Sequence, residues 1–332
     1  MNRFLDLEDL DDETIGRLLH SAKSLQREPI RDALSGKVLG LVFMNPSVRT
    51  LASFQAGMAQ LGGSSFVITP GQGSWGFETR EGVTMDGDAA EHVKEGIPVL
   101  ASYADALGVR CFAGGRDLEQ DLAEPVLGSI ASICDKPLLN LESAVNHPCQ
   151  ALADWKTLDD YEVPNDGKFV LSWAWHKKAL PLAVPAAALT MAARRGMDVT
   201  VLRPDGFELP PQIMETASQA ASFSGGRVRE TNDRAEAMDG AHVVYAKSWQ
   251  ATAAYGDPAA ESRLRESLQD WCVKEDWFAS AEPDARFMHC LPVRRNVVVA
   301  DEILDGPRSV VLNQAENRLH AQKAVLLEML GR

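Results

Sequence analysis

The chain of 332 residues has no run of ~18 uninterrupted apolar residues, the length a membrane-spanning helix needs. Its first residues, Met1 to Gly16, lack the apolar core of a signal peptide, so a cytoplasmic protein is the default expectation. Cysteines are few and scattered. Cys111, Cys134, Cys149, Cys272 and Cys290 are odd in number and form no CxxC pair, which speaks against a disulfide framework or a cysteine zinc site. No two of the seven histidines stand four apart, so no metal site is expected. Basic charge is also short: 33 Lys and Arg against 47 Asp and Glu leave a net charge of −14. That excludes a sequence-independent nucleic-acid binder, which needs a basic face. It leaves room for an anionic small substrate, because a few arginines dominate one pocket.

With 45% hydrophobic and 24% charged residues, the composition is that of a soluble globular protein, and the length suggests two domains. Apolar periodicity predicts a first helix capped by Asp11 or Asp12 and running to about Leu25. Lys37–Phe43 then reads as a buried strand, Arg49–Leu61 as a helix and Ser64–Thr69 as a strand. The same alternation predicts a helix near Ala90–Ala106, a strand near Leu107–Phe112, a helix from about Leu118 and an extended Pro137–Leu141. A long helix from His147 to Tyr161 reads as a bridge between domains. Beyond it come strands at Phe169–Trp173, Val199–Leu202 and His242–Ala246, and helices near Ala186–Arg195, Pro211–Ala221 and Ala315–Leu330. Strands alternating with helices mean α/β architecture: two doubly wound parallel-sheet domains joined by long helices. The turn after Phe169–Trp173 is Ala174-Trp175-His176-Lys177-Lys178, without a G-x-G-x-x-G fingerprint, so a dinucleotide cofactor is not expected.

Four short segments carry chemistry. Asn45-Pro46-Ser47-Val48-Arg49-Thr50 runs from a strand through a turn into a helix, where free N–H groups and the positive end of the dipole favour an anion. On its own it fits equally an ordinary capping serine beside a surface arginine. Arg110 ends an apolar strand, where open α/β sheets bind ligands. His147-Pro148-Cys149-Gln150 opens the bridging helix, and His289-Cys290-Leu291-Pro292 precedes Val293-Arg294-Arg295-Asn296.

Ser-x-Arg-Thr, His-Pro-x-Gln, His-Cys-Leu-Pro and the terminal Glu316-Asn317-Arg318, in this order, resemble the aspartate/ornithine carbamoyltransferase superfamily over the whole chain. The resemblance implies a carbamoyl phosphate-binding domain over 1–146, completed by a C-terminal helix 315–332, and an amine-substrate domain over 147–314. It implies no metal or organic cofactor. It also implies a homotrimer with shared active sites, with no nucleic acid or membrane partner. Ornithine carbamoyltransferases carry an Asp-x-x-x-Ser-Met-Gly motif for the substrate's α-ammonium, whereas this chain reads Tyr245-Ala246-Lys247-Ser248-Trp249. A lysine there repels an ammonium and attracts a carboxylate. With Met85-Asp86-Gly87 and Leu291-Pro292-Val293-Arg294-Arg295-Asn296, that wording is similar to the N-acylornithine carbamoyltransferases of arginine biosynthesis. Ordinary ornithine transfer and a non-catalytic paralogue are the competing readings. Lys247 speaks against the first, and the presence of Arg49, His147 and Arg318 against the second.

Matched by motif, Ser47, Val48, Arg49, Thr50, Trp75, Arg110, His147, Pro148, Cys149, Gln150, Cys290, Leu291 and Arg318 fall on the carbamoyl phosphate site. Of these, Arg49, Thr50, Arg110 and His147 are the expected catalytic groups. Glu142, His176, Lys247, Leu291 and Arg294 fall on the acylornithine site. Leu51 replaces the family's second arginine, and Val298 a modifiable lysine of some relatives. Ala90 bears on the acyl group: acetyl-selective relatives have a glutamate there, whose charge would offset Lys247 and Arg294. Its absence favours a succinyl cap, with an acetyl cap as the alternative. The resemblance further implies a trefoil knot in the second domain, with Lys178–Pro185 as the threaded segment.

Overall fold

The computed structural model describes residues 1–331. They divide into two compact units. One comprises Met1–Gly114, Glu119–Leu152 and the residues from Arg318 on, and the other Gly115–Leu118 and Ala153–Asn317.

The first unit is built on strands β1 (Arg3–Phe4), β2 (Val38–Phe43), β3 (Ser64–Ile68), β6 (Ala106–Arg110) and β7 (Leu138–Glu142), in the order β1-β7-β6-β2-β3. A separate parallel pair joins β4 (Phe77–Glu78) to β5 (Glu91–His92). In the second unit β8 (Lys168–Trp173), β9 (Asp198–Leu202), β10 (Arg227–Thr231), β11 (Ala241–Lys247) and β12 (Arg286–Met288) run β10-β9-β8-β11-β12. Every pairing is parallel. The central strands are buried on both faces, which is why they read as unbroken apolar runs. Packing over β2 is so close that a Cβ on Gly40 would lie 2.5 Å from Leu107 and 2.7 Å from Phe66.

The order of strands places the chemistry. In the first sheet β3 lies on one side of β2 and β6 on the other, so the winding reverses between β2 and β6. In the second sheet it reverses between β8 and β11. Ligands of open α/β sheets bind outside the carboxyl ends of strands at such reversals.

Several elements depart from the sequence reading. The helix expected from Ala90 begins at Val93, because Glu91–His92 pairs with Phe77–Glu78 and the His92 ring accepts the Lys94 N–H at 3.1 Å as a cap. The last helix begins at Val311 rather than Ala315. β1, β10 and β12, and the helices Arg234–Met238 and Pro258–Glu266, went unread. β1 has two residues, β10 is an edge strand with charge at three of its five positions, and β12 has three residues. None is long or alternating enough to show a period. Lys178–Pro185 is a loop running into the helix Ala183–Arg194, and the Gln250 N–H donates to the Leu180 carbonyl at 3.0 Å. Among the described residues no helix is long and apolar enough to cross a membrane, and no group of three or more His, Cys, Asp or Glu could hold a metal ion.

Candidate active site

In the first unit the helix Val48–Gln60 starts directly beyond β2. Ser47 caps it from an extended conformation (φ −157°, ψ 112°), its Oγ accepting the Thr50 N–H at 3.3 Å. The first turn carries no acid and instead carries Arg49. A cation at the positive end of a helix dipole is unfavourable by itself, and an anion bound there reverses the sign. Thr50 is fully buried; its Oγ1 accepts from Ser47 Oγ (3.0 Å) and Arg318 Nη2 (2.9 Å). With both acceptor positions used, its own hydroxyl hydrogen is left to donate to a ligand.

Strand register brings the remaining groups together. Phe43 is opposite Arg110, and Arg110 opposite Glu142. The buried Arg110 guanidinium is ion-paired with Glu142 and stacks over the Phe112 ring at 4.4 Å. His147 Nε2 lies 3.4 Å from the same Glu142 oxygen. Arg318, buried on the last helix, donates to Gln150 Oε1 at 3.3 Å. Burial foremost, and the guanidiniums of Arg110 and Arg49, push Arg318 below the ordinary arginine range. Three guanidiniums, those of Arg49, Arg110 and Arg318, therefore share one neighbourhood, with Glu142 ion-paired to Arg110. Among the described residues Arg110 Nε and Arg318 Nε are buried without a hydrogen-bond partner, the condition a ligand oxygen would relieve. Cys149, wholly buried, has its thiol pushed up to about 12 by desolvation, which keeps it unreactive.

In the second unit His176 follows β8, Lys247 ends β11 opposite Trp173, and Cys290 and Leu291 follow β12. Arg294 Nε donates to His176 Nε2 at 3.1 Å, and His176 Nδ1 lies between the Lys178 carbonyl oxygen (3.0 Å) and the Lys178 backbone nitrogen (3.1 Å). Burial first, then the Lys178 contact opposing it, and the cations Arg294, Lys247 and Arg265 set His176 below the usual histidine range. The ring is neutral at pH 7. Arg295 is neutralised by Asp301 (2.9 Å) and Asp305 (2.7 Å), whereas among the described residues neither Arg294 nor Lys247 is paired with a carboxylate. Leu291 has a positive φ of 55°, and its N–H donates to His289 Nδ1 at 2.9 Å. The His289 N–H is held by Gln314 Oε1 (2.9 Å), and Gln314 is held in turn by Asp154 (2.7 Å).

Of the residues singled out in the sequence, Ser47, Thr50, Gln150 and Arg318 form one contact group and Arg110, Glu142 and His147 another within the same unit, and Arg49, Arg110 and Glu142 lie within electrostatic reach of Arg318. His176, Lys247, Cys290, Leu291 and Arg294 lie in the other. Glu142, expected on the amine substrate, also neutralises Arg110. Val48 is 83% exposed beside Arg49. Trp75 and Ala90 stand apart on the exposed segment around β4 and β5, where the 60% exposed indole donates to Glu91 at 2.6 Å. Sequence reasoning missed Asn45, whose Oδ1 accepts the Phe112 N–H at 2.8 Å, and Asn140, whose Oδ1 accepts the Glu142 N–H at 3.0 Å. Asn45 was legible only as a strand terminator.

Comparison with known proteins bears on this arrangement. Residues 2–160 match the aspartate/ornithine carbamoyltransferase carbamoyl-P binding domain, and residues 184–329 the Asp/Orn binding domain. The chain is 39% identical over 335 residues to an N-acetylornithine carbamoyltransferase of Xanthomonas campestris pv. campestris, covering 100% of this chain and 98% of that protein. It is 34% identical over 334 residues to an N-succinylornithine carbamoyltransferase of Bacteroides thetaiotaomicron, covering 99% of each. Among solved structures it matches a variant N-acetyl-L-ornithine transcarbamylase with one glutamate replaced by alanine, complexed with carbamyl phosphate and N-succinyl-L-norvaline. There the TM-score is 0.95 and the identity 40%, over 99% of this chain and 100% of that one. With both domains matched along nearly its full length, the chain belongs to the aspartate/ornithine carbamoyltransferase family of enzymes.

Proposed function

We propose that this enzyme transfers the carbamoyl group of carbamoyl phosphate to the δ-amine of N-succinyl-L-ornithine, giving N-succinyl-L-citrulline and phosphate. The observation that carries the carbamoyl phosphate half is the gathering of Arg49, Arg110 and Arg318 at a helix start whose first turn has no acid, in a chain of net charge −14. Clustered guanidiniums at a helix N-terminus match a phosphate dianion. In the reaction the neutral δ-amine attacks the carbonyl carbon, a C–N bond forms, the C–O bond to phosphate breaks with its electron pair, and the amine gives up one proton to the departing phosphate. Charge grows on the carbonyl oxygen, so donors aimed there lower the barrier most. Thr50, Arg110 and His147 take that role. Arg49 and Arg318 neutralise the leaving phosphate, and the backbone N–H groups from Ser47 through the helix start hold it. Because the nucleophile belongs to the substrate, no protein nucleophile is needed.

The choice of succinyl rests on charge. Among the described residues Lys247 and Arg294 lack a carboxylate partner, and Ala90 offers none, where acetyl-selective relatives have a glutamate. A succinyl carboxylate would supply it, and each charge-assisted hydrogen bond contributes about 1.5–3 kcal/mol. Such a gain corresponds to roughly tenfold or more in specificity. The solved variant that lost a glutamate and holds a succinyl compound supports the same logic. The higher identity to the N-acetylornithine enzyme, 39% against 34%, favours an acetyl cap as the second reading. The deciding assay compares ornithine, acetylornithine and succinylornithine with carbamoyl phosphate for ureido product. Succinylornithine should turn over best, and Ala90→Glu should shift preference toward acetylornithine by about tenfold. A wild type that prefers acetylornithine sinks the charge argument.

The enzyme works as a homotrimer with shared sites in this reading, Trp75 reaching the neighbouring subunit. Trp75→Ala should cripple activity, and mixing it with Arg49→Ala, at carbamoyl phosphate concentrations far below the raised KM of that variant, should restore part of it. Mixed subunits without any recovered activity would mean self-contained protomers.

A further inference from the structure

The helix Pro258–Glu266 carries no sequence motif, yet its Arg265 is 3% exposed and Glu261 4% exposed. The two are ion-paired at 2.6 Å, with Arg265 Nε also donating to Glu261 Oε1 at 2.7 Å. Such a pair adds little to stability over apolar residues of the same volume. What it adds is direction. Arg265 Nη1 donates to the His176 carbonyl (3.2 Å) and to Ser248 Oγ (3.0 Å), and Nη2 to the Trp249 carbonyl (2.6 Å). Glu261 Oε2 accepts the Ala251 N–H at 2.8 Å, and Trp175 Nε1 donates to the Arg265 carbonyl at 2.8 Å. The guanidinium is also wedged by Phe207 (5.1 Å) and Trp173 (5.4 Å).

One side chain therefore ties the turn after β8, which carries His176, to the turn after β11, which follows Lys247. These turns flank the winding reversal of this sheet. We propose that Arg265, held by Glu261, is the positioning residue that fixes the spacing of His176 and Lys247 and so sets affinity for the acylated amine. The inference rests on the acylornithine reading above. The need for arginine is geometric, since a planar fork reaches acceptors on two turns at once and an ammonium group does not. Glu261 absorbs its charge, leaving Lys247 and Arg294 as the cations available to a carboxylate.

The test is Arg265→Lys, which keeps the charge opposite Glu261 and loses the fork. The KM for the acylornithine that wild type uses should rise about tenfold, with kcat within about threefold and the KM for carbamoyl phosphate unchanged. A merely structural role would lower the active fraction, reducing kcat with both KM values unmoved, and that result overturns the proposal. Should Arg265→Lys not fold, Ser248→Ala removes a single acceptor and should raise the same KM about threefold; no change there overturns it equally. A wild type that carbamoylates no acylated ornithine would overturn the substrate reading itself, before any variant is compared.

Discussion

Arg49→Ala should raise the KM for carbamoyl phosphate by about 10²–10³-fold, the loss of two charge-assisted hydrogen bonds to phosphate. The fold should survive. Arg49 sits in the first turn of the helix Val48–Gln60, where a cation opposes the dipole and alanine is a good helix former. It is only half-buried, so truncation opens no sealed cavity. Steady-state kinetics and thermal unfolding together decide the matter. A KM near the wild-type value would remove Arg49 from the phosphate site, and a collapsed unfolding transition would make its role structural.

Arg110→Ala should fail differently. Its guanidinium is 7% exposed and ion-paired with Glu142, itself buried, with His147 against the same carboxylate. Removing one partner strands a buried charge at a cost of about 3–5 kcal/mol. Activity should fall by two or more orders of magnitude, on the order of one lost oxyanion donor. The double variant Arg110→Met, Glu142→Gln separates the two effects: most of the stability should return and none of the activity. Denaturant unfolding of the three proteins measures the first, and ureido formation the second. If the double variant were no more stable than Arg110→Ala, the ion pair would not be what holds this part of the first unit.

The contrast between the two arginines shows how differently sequence and tertiary structure contribute. The sequence by itself determined the α/β class and the central strands β2, β6, β8 and β11. Burial on both faces requires unbroken apolar runs bounded by turn residues, and that is a local pattern. It also put Ser47-Val48-Arg49-Thr50 at a strand-to-helix junction and Arg110 at a strand end, since both placements follow from where apolar runs stop.

Edge elements were another matter. β10, with Arg227, Arg229 and Glu230 on a half-exposed strand, is held by its pairing with β9 and not by its own composition. Pairings between distant residues were likewise out of reach. Arg318 meets Thr50 across 268 residues of chain, and only the packing of the last helix in the first unit brings them within 2.9 Å. Glu142 could be assigned to a substrate by motif, but its pairing with Arg110 depends on β6 and β7 lying side by side. The Glu261–Arg265 clamp had no signature at all, because i,i+4 opposite charges read as an exposed helix face. Tertiary structure decided that this pair is buried and that its donors point at two turns. Hydrophobic period is written into neighbouring residues, whereas a buried polar contact is specified by geometry that exists only once the sheet has formed.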